Sequence, residues 1–131
     1  MVAAESYPAG LKYHREHDWA RIEGDEATLG VTWFAQDALG ELVHYEAPAV
    51  GDAIAVDASY GEVESVKAVS DLIAPLSGEV LAVNQAVVDA PETVNEDPYG
   101  EGWLIRIRLS DPAEVDALLE AAAYQEFLAA Q

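Results

Sequence analysis

Two stretches of the chain repeat one another, and this duplication limits the fold more than any other feature. Residues 51–57 read G-D-A-I-A-V-D and residues 78–84 read G-E-V-L-A-V-N, matching as Gly/Gly, Asp/Glu, Ala/Val, Ile/Leu, Ala/Ala, Val/Val and Asp/Asn. Two copies do not build a solenoid; they imply a fold assembled from two similar β units. The span 51–84 has its midpoint between residues 67 and 68, so Lys67 stands at the centre. Between the copies, GEVESVKAVSDLIAPL has no Gly, Asn or Pro between Gly61 and Pro75. Propensity alone draws one strand over 62–74, longer than strands usually run. Something must break it. Symmetry places the break at Val66-Lys67-Ala68, whereas turn chemistry, which favours Gly or Asn in a tight hairpin, speaks against it. A turn that violates local rules marks a candidate functional site.

The rest of the chain is mostly strand-like. Gly24-Asp25-Glu26 is a turn signal between two alternating runs, predicting paired strands at 19–23 and 27–32. TWFAQDALG reads as one or two helical turns closed by Gly40, with Phe34, Ala38 and Leu39 on one side. Further strands are expected in ELVHYE, AIAVD, YGEVESV, DLIAPL and GEVLAVN, and a helical turn near 91–95. WLIRIRL alternates cleanly, Trp103, Ile105, Ile107 and Leu109 against Leu104, Arg106 and Arg108. Asp111 as N-cap, Pro112 and Glu114 then open a terminal helix, with Val115, Leu118, Leu119 and Ala122 on one stripe continued by Tyr124, Phe127 and Leu128. Many short strands followed by a helix predict a mostly-β sandwich or partly open barrel with helical additions, in one domain over 1–131.

Charge excludes several functions. Six Lys and Arg against 25 Asp and Glu leave a net charge of −19. Nucleic-acid binding needs the opposite sign, and so does an anionic membrane surface. There is no cysteine, so disulfides, thiolate nucleophiles and cysteine metal sites are out. MVAAESYPAG has no basic region followed by an apolar run, and no apolar run approaches membrane-spanning length, so a cytoplasmic location is expected.

Within this acidity Lys67 is isolated: residues 22–105 carry 17 Asp or Glu and no other Lys or Arg. A solvated lysine paired with Glu62 or Glu64 is one reading. A Schiff-base or general-base lysine needs a lowered pKa, and Glu62, Glu64 and Asp71 act the other way. A lysine modified by another enzyme needs only an exposed amine on a rigid tip.

GEVESVKAVSDLIAPLSGEV resembles the lipoyl-attachment hairpin of glycine cleavage system H proteins, and HDWARIEGDEATLGVT, AQDALGELVHYEAPAVGD and VNEDPYGEGWLIRIRLSDP are similar to that family in the same order, from about Tyr13 to Leu128. The resemblance implies a lipoyl-domain-like β sandwich, or barrel-sandwich hybrid, with short helices and a C-terminal helix. It implies a non-catalytic, monomeric carrier with lipoate amide-linked to Lys67. A pyridoxal-phosphate glycine decarboxylase would load the arm with an aminomethyl group, an aminomethyltransferase would unload it and a dihydrolipoamide dehydrogenase would reoxidise it. A lipoylating enzyme would attach the group, with Glu64 and Asp71 in recognition and presentation of the hairpin. The loaded arm would fold back near Glu16, Asp18 and Asp71. The family's H-E-W reads H-D-W here, so Asp18 is one methylene shorter.

Three rivals remain at this level: a lipoyl or biotinyl carrier of another complex or lipoate relay, an acidic enzyme using Glu62, Glu64 or Asp71 for acid/base catalysis, and an acidic interaction module whose lysine is never modified. The flanks Val66 and Ala68, where a biotin site usually has methionines, weigh against biotin. His14 and His17, spaced H-x-x-H beside Glu16 and Asp18, lack a third ligand for zinc, and no metal is assigned. His44 is expected as a packed or edge residue, and NEDPYGEGW as a fixed turn before the 103–109 strand. Trp33 and Phe34 depart from the family's more polar pattern, as core filler or exposed contact.

Overall fold

Alternation broken by Gly and Pro yields short antiparallel strands in the computed structural model, which describes residues 3–131. In chain order these are β1 (Lys12–Tyr13), β2 (Asp18–Glu23), β3 (Glu26–Val31), helix α1 (Trp33–Leu39), β4 (Leu42–Glu46), β5 (Ala53–Ile54), β6 (Ser59–Ser65), β7 (Val69–Ile73), β8 (Gly78–Val83), α2 (Gln85–Asp89), α3 (Thr93–Glu96) and β9 (Ile105–Leu109). A 3-10 turn at Pro112–Ala117 and α4 (Ala121–Ala129) complete the chain. Six strands form one sheet in the order β1-β2-β3-β9-β8-β5, and three form another in the order β4-β6-β7. The expected sandwich is thus present, with the lysine hairpin in the smaller sheet.

The repeat has a structural meaning. Its copies pair with each other, Ala53 opposite Glu79 and Ile54 opposite Gly78. Val80 N–H reaches Asp52 O at 2.8 Å, the same pairing with the copies exchanged. The first copy is strand only at Ala53–Ile54, because the chain turns at once through Asp57, whose φ is +69°.

The β2–β3 hairpin forms where predicted, turning at Gly24-Asp25 with Gly24 at φ +66°. A positive φ at the first central residue gives a turn whose twist matches its strands. Thr32 caps α1 through Ala35 N–H, and Gly40 ends it at φ +84°. The inward face of α1 differs from the expected one. Gln36 is fully buried, with Ala35 and Leu39 packed against the core, while Ala38 is exposed. The helix buries a glutamine because Asn95 supplies a partner for its amide oxygen.

Residues from both sheets fill the main core, among them Leu29, Leu42, Val63, Leu72, Leu76, Val80, Ile105 and Ile107. A second cluster, Leu11, Tyr13, Trp19, Ala121 and Tyr124, docks α4. Trp19 fits because position 30 is glycine: a Cβ there would lie 2.6 Å from the indole ring.

Three expectations need correction. The terminal helix is not continuous: Leu118 is extended, and Leu119 exchanges two backbone hydrogen bonds with Tyr13 at 2.7 and 2.8 Å. That bridge closes the edge of β1 and outweighs the helical pattern. Glu114 does not close a capping box; its carboxylate accepts from Ser77 N–H and Ser77 O–H. The last strand begins at Ile105, so Leu104, placed by alternation with the arginines, is buried. α2 was not anticipated, whereas the expected turn near 91–95 is α3.

Candidate functional site

The long strand does break at the lysine. β6 and β7 pair through Glu64 opposite Val69, and the chain reverses over Ser65-Val66-Lys67-Ala68. Ser65 N–H donates to Ala68 O at 2.7 Å. Neither Val66 nor Lys67 has a positive φ, so this is not one of the turns favoured in two-residue hairpins. The compensation comes from Ser65, whose hydroxyl oxygen accepts from Lys67 N–H at 3.2 Å and Ala68 N–H at 3.1 Å. The hydroxyl hydrogen points to Ala68 O at 3.3 Å. Serine can replace a backbone partner in this way, and the ESVKA stretch carried that signal unread. A second anchor comes from outside the hairpin: Val66 N–H donates to Glu41 O at 3.1 Å.

Lys67 is exposed, and its Nζ makes no ion pair among the described residues. Its stem lies over Gly40, where a Cβ would approach Lys67 Cε to 3.4 Å. Exposed Val66 (69%) and Val69 (62%) flank it, and Val43 is exposed on β4. The chain's other lysine, Lys12, is paired with Glu120 at 3.4 Å. A cleft of about 280 Å³ beside the lysine's root is lined by Gln36, Asp37, Gly40, Glu41, Glu92, Asn95 and Glu96.

The expected carboxylates occupy two different settings. Glu64 and Asp71 are exposed on the outer face of the hairpin. Register places Glu46, Glu62 and Asp71 in one cross-strand row and His44, Glu64 and Val69 in the next. His44 pairs with Glu46 at 3.1 Å on this edge strand. Like charges directly opposite one another are destabilising, so the Glu46-Glu62-Asp71 row costs the fold stability.

Asp18 is different. It is 2% exposed, and Tyr60 O–H donates to its Oδ2 at 3.2 Å. Burial pushes its pKa well above the usual carboxylate range; the Tyr60 hydrogen bond opposes this, and the Glu16 charge adds to it. Tyr60 is held far above the ordinary phenol value, first by burial and then by Asp18. Glu16 is exposed and lines a cavity of about 580 Å³ with Tyr13, His14, Val56, Ile73 and Leu118. No hydrogen bond joins Glu16, Asp18 and Asp71 to one another.

The H-x-x-H pair separates. His14 Nδ1 accepts from Glu16 N–H at 3.0 Å, which leaves Nε2 to donate to Asp57 at 2.7 Å. His17, at φ +75°, meets Tyr124 Oη through Nδ1 at 2.7 Å, and burial lowers its pKa. Tyr124 also bonds Thr32 Oγ1 at 2.9 Å, so α4 grips the segment before Asp18.

The NEDPYGEGW stretch holds several parts together. Trp19 Nε1 donates to Pro98 O and Arg21 Nη2 to Tyr99 O. Tyr99 Oη accepts from Trp33 N–H and donates to Ser6 O. Trp33 itself is neither filler nor free contact: its indole N–H donates to Ala3 O at 2.8 Å and ties down the N-terminal segment.

Two small antiparallel sheets presenting an unpaired lysine at the tip of a hairpin define a carrier domain of the lipoyl type. Comparison with known proteins specifies which carrier. A family described as Glycine cleavage H-protein matches residues 11–131. The glycine cleavage system H protein of Symbiobacterium thermophilum is 53% identical over 120 residues, spanning 92% of this chain and 94% of that protein. That of Anaeromyxobacter sp. strain K is 53% identical over 124 residues, spanning 95% and 97%. A crystal structure of a glycine cleavage system H protein from Mycobacterium marinum superposes with a TM-score of 0.84 at 42% identity, covering 91% of this chain and 96% of that one. The chain belongs to the glycine cleavage H-protein family, and its role is that of a lipoyl carrier in the glycine cleavage system.

Proposed function

We propose that Lys67 is the residue that bears the lipoyl group, as an amide at Nζ, and that residues 1–131 act as one carrier domain, non-catalytic by itself. The observation that carries this is an exposed, unpaired amine on a doubly anchored turn. The residues present fit the group: among the described residues nothing competes for Nζ, and the exposed valines beside it leave the amine open to a modifying enzyme. When bound, lipoate supplies a disulfide that opens to receive a one-carbon amine unit and is closed again by oxidation. The chain has no cysteine, so that sulfur chemistry belongs to the cofactor.

The protein's own residues divide the remaining work. Ser65 and the Glu41 carbonyl hold the root of the arm still. Glu64 and Asp71 face outward beside it, suited to recognition by the lipoylating enzyme and presentation to partners. Asp18, with Glu16 near the surface, offers a carboxyl to the cationic end of a loaded arm. In water that attraction is weak; at Asp18 the arm's positive end would favour ionisation against the burial that holds the proton, and the pair would form a charge-assisted hydrogen bond out of water. The enzymes served are the pyridoxal-phosphate glycine decarboxylase, the aminomethyltransferase and dihydrolipoamide dehydrogenase, with the carrier acting as a cytoplasmic monomer. No helix among the described residues is long and apolar enough to cross a membrane. The acid/base alternative has less support, because Glu62, Glu64 and Asp71 all stand in the open on the outer face.

The test is the mass of the protein purified from a lipoate-competent host, with the adduct mapped by peptide. A lipoyl group on Lys67 is expected. A lipoyl group on Lys12, a biotin adduct, or no adduct overturns the proposal.

A further inference from the structure

We infer that Asn95, which opens the NEDPYGEGW stretch, is a positioning residue for Lys67. This rests on the reading of Lys67 as the lipoylated residue. Asn95 lies in α3, 6% exposed, and every polar atom of its side chain is engaged. Oδ1 accepts from Leu42 N–H at 2.9 Å. Nδ2 donates to Gly40 O at 2.9 Å and to Gln36 Oε1 at 3.0 Å. All three bonds run to the end of α1 and the entry into β4.

That clamped segment is the floor under the lysine tip. Glu41 O receives Val66 N–H at 3.1 Å, and the Lys67 stem rests over Gly40. Ser65 therefore fixes the shape of the turn, and Asn95 fixes where the turn sits. Only an amide of this length does it. A carboxylate has no hydrogen for Gly40 O or Gln36 Oε1, so the part-buried carbonyl and the buried amide oxygen would both lose their donor.

The experiment compares wild type, Asn95→Asp, Gly40→Ala and Ile107→Val as full-length substrates of a lipoylating enzyme supplied with lipoate and ATP. It adds ¹⁵N relaxation of the tip amides in the unmodified proteins. Asn95→Asp is nearly isosteric and keeps the acceptor for Leu42 N–H while losing both donors. The outer-face carboxylates are unchanged, so KM for the carrier holds. The amine is misplaced, so kcat falls about ten- to a hundredfold. Amide order at Val66, Lys67 and Ala68 falls as well, while that of β8 and β9 does not. Ile107→Val, a truncation in the core of the larger sheet, leaves kcat and tip order at wild-type values. Unchanged kcat and tip order in Asn95→Asp overturn the inference, and so does an equal loss in Ile107→Val. Should Asn95→Asp not fold, Gly40→Ala decides: Gly40 stands at φ +84°, where a side chain is strained, so the substitution displaces the segment under the lysine from outside the core, and an unchanged kcat there refutes the floor. Peptide mapping of the wild-type product keeps the two readings apart. Lipoate away from Lys67 removes the attachment assignment, while the relaxation data still judge the clamp.

Discussion

Replacing Asp18 by Asn removes the one carboxyl that the core has to accommodate. The side chain is 2% exposed, with Tyr60 O–H on its Oδ2 at 3.2 Å, and burial lifts its pKa well above 3.8. The folded chain thus holds this proton more tightly than the unfolded chain does. Above pH 3.8 and up to the folded-state value, the unfolded chain has lost the proton and the folded chain has not, so each rise in pH lowers stability. One proton separates the states, so the slope reaches at most about 1.4 kcal/mol per pH unit. Asparagine has no such linkage, is close in shape, and its amide oxygen still accepts from Tyr60. Asp18→Asn should therefore match the wild type below pH 3.8 and overtake it as pH climbs, at up to about 1.4 kcal/mol per unit, levelling off once Asp18 ionises in the fold. Urea unfolding followed by tryptophan fluorescence from about pH 3.5 to about pH 8 gives both curves, and their difference cancels the other carboxylates. In a Tyr60→Phe background the ionised form loses its hydrogen bond, so the plateau moves to higher pH. A difference that is flat, or that favours the wild type increasingly as pH rises, refutes the reasoning. The same substitution removes the carboxyl offered to a loaded arm, so a gain in stability should accompany a loss in carrying.

Other outcomes follow from single contacts. Lys67→Arg keeps the charge and most of the length but not the acylable amine, so loading and glycine turnover in the reconstituted system should vanish with the melting temperature unchanged; surviving turnover sinks the assignment. Ser65→Ala removes the hydroxyl contacts to Lys67 N–H, Ala68 N–H and Ala68 O, at a tip where water replaces part of the loss. A destabilisation of about 1–2 kcal/mol in urea and faster hydrogen exchange at Lys67 and Ala68 are expected, with Ser65→Thr near wild type; unchanged exchange would show the hydroxyl to be idle. Trp33→Phe keeps an aromatic side chain but drops the bond to Ala3 O, so limited proteolysis within residues 3–7 should accelerate while global stability changes by about 1 kcal/mol or less. Cleavage at the wild-type rate would mean that other contacts hold the segment.

How much of this the sequence discloses depends on how far apart the partners are. The β2–β3 hairpin, α1 and its caps are local, and their turn residues and caps name them. The break at Lys67 is also local, but propensity misses it because the compensating group is a serine hydroxyl rather than a glycine; the duplicated segment reveals it only through symmetry. The terminal helix misleads for the opposite reason. Its stripe is genuine, yet Leu119 is taken by Tyr13, a partner at the other end of the chain. Nothing near Asp18 in the chain announces its burial, because Tyr60, its hydrogen-bond partner, is 42 positions away. Asn95 sits in a stretch that composition marks only as a turn, and its link to the lysine runs through Gly40–Leu42, which no spacing rule connects to either.

The isolation of Lys67 acquires a physical setting from the sheets. Arg21, Arg106 and Arg108 all lie on the larger sheet, where Arg108 reaches Glu79 at 3.7 Å and Arg21 bonds Tyr99 O. The smaller sheet carries Glu46, Glu62, Glu64 and Asp71 on its outer face, with His44 as their only basic neighbour in the same rows. Lys67 therefore crowns an acidic sheet from which other permanent cations are absent. Acylation takes away that last positive charge, and the tip then presents valines and an amide in front of uncompensated carboxylates. A surface of that kind orients an approaching basic partner before contact and speeds encounter more than it strengthens the complex, which suits a carrier that has to leave as readily as it arrives. What grips the lysine, by contrast, lies behind it in Ser65, Glu41 O and Asn95, where no partner needs to reach. Mobility of the arm and fixity of its root are thus assigned to opposite sides of the same turn.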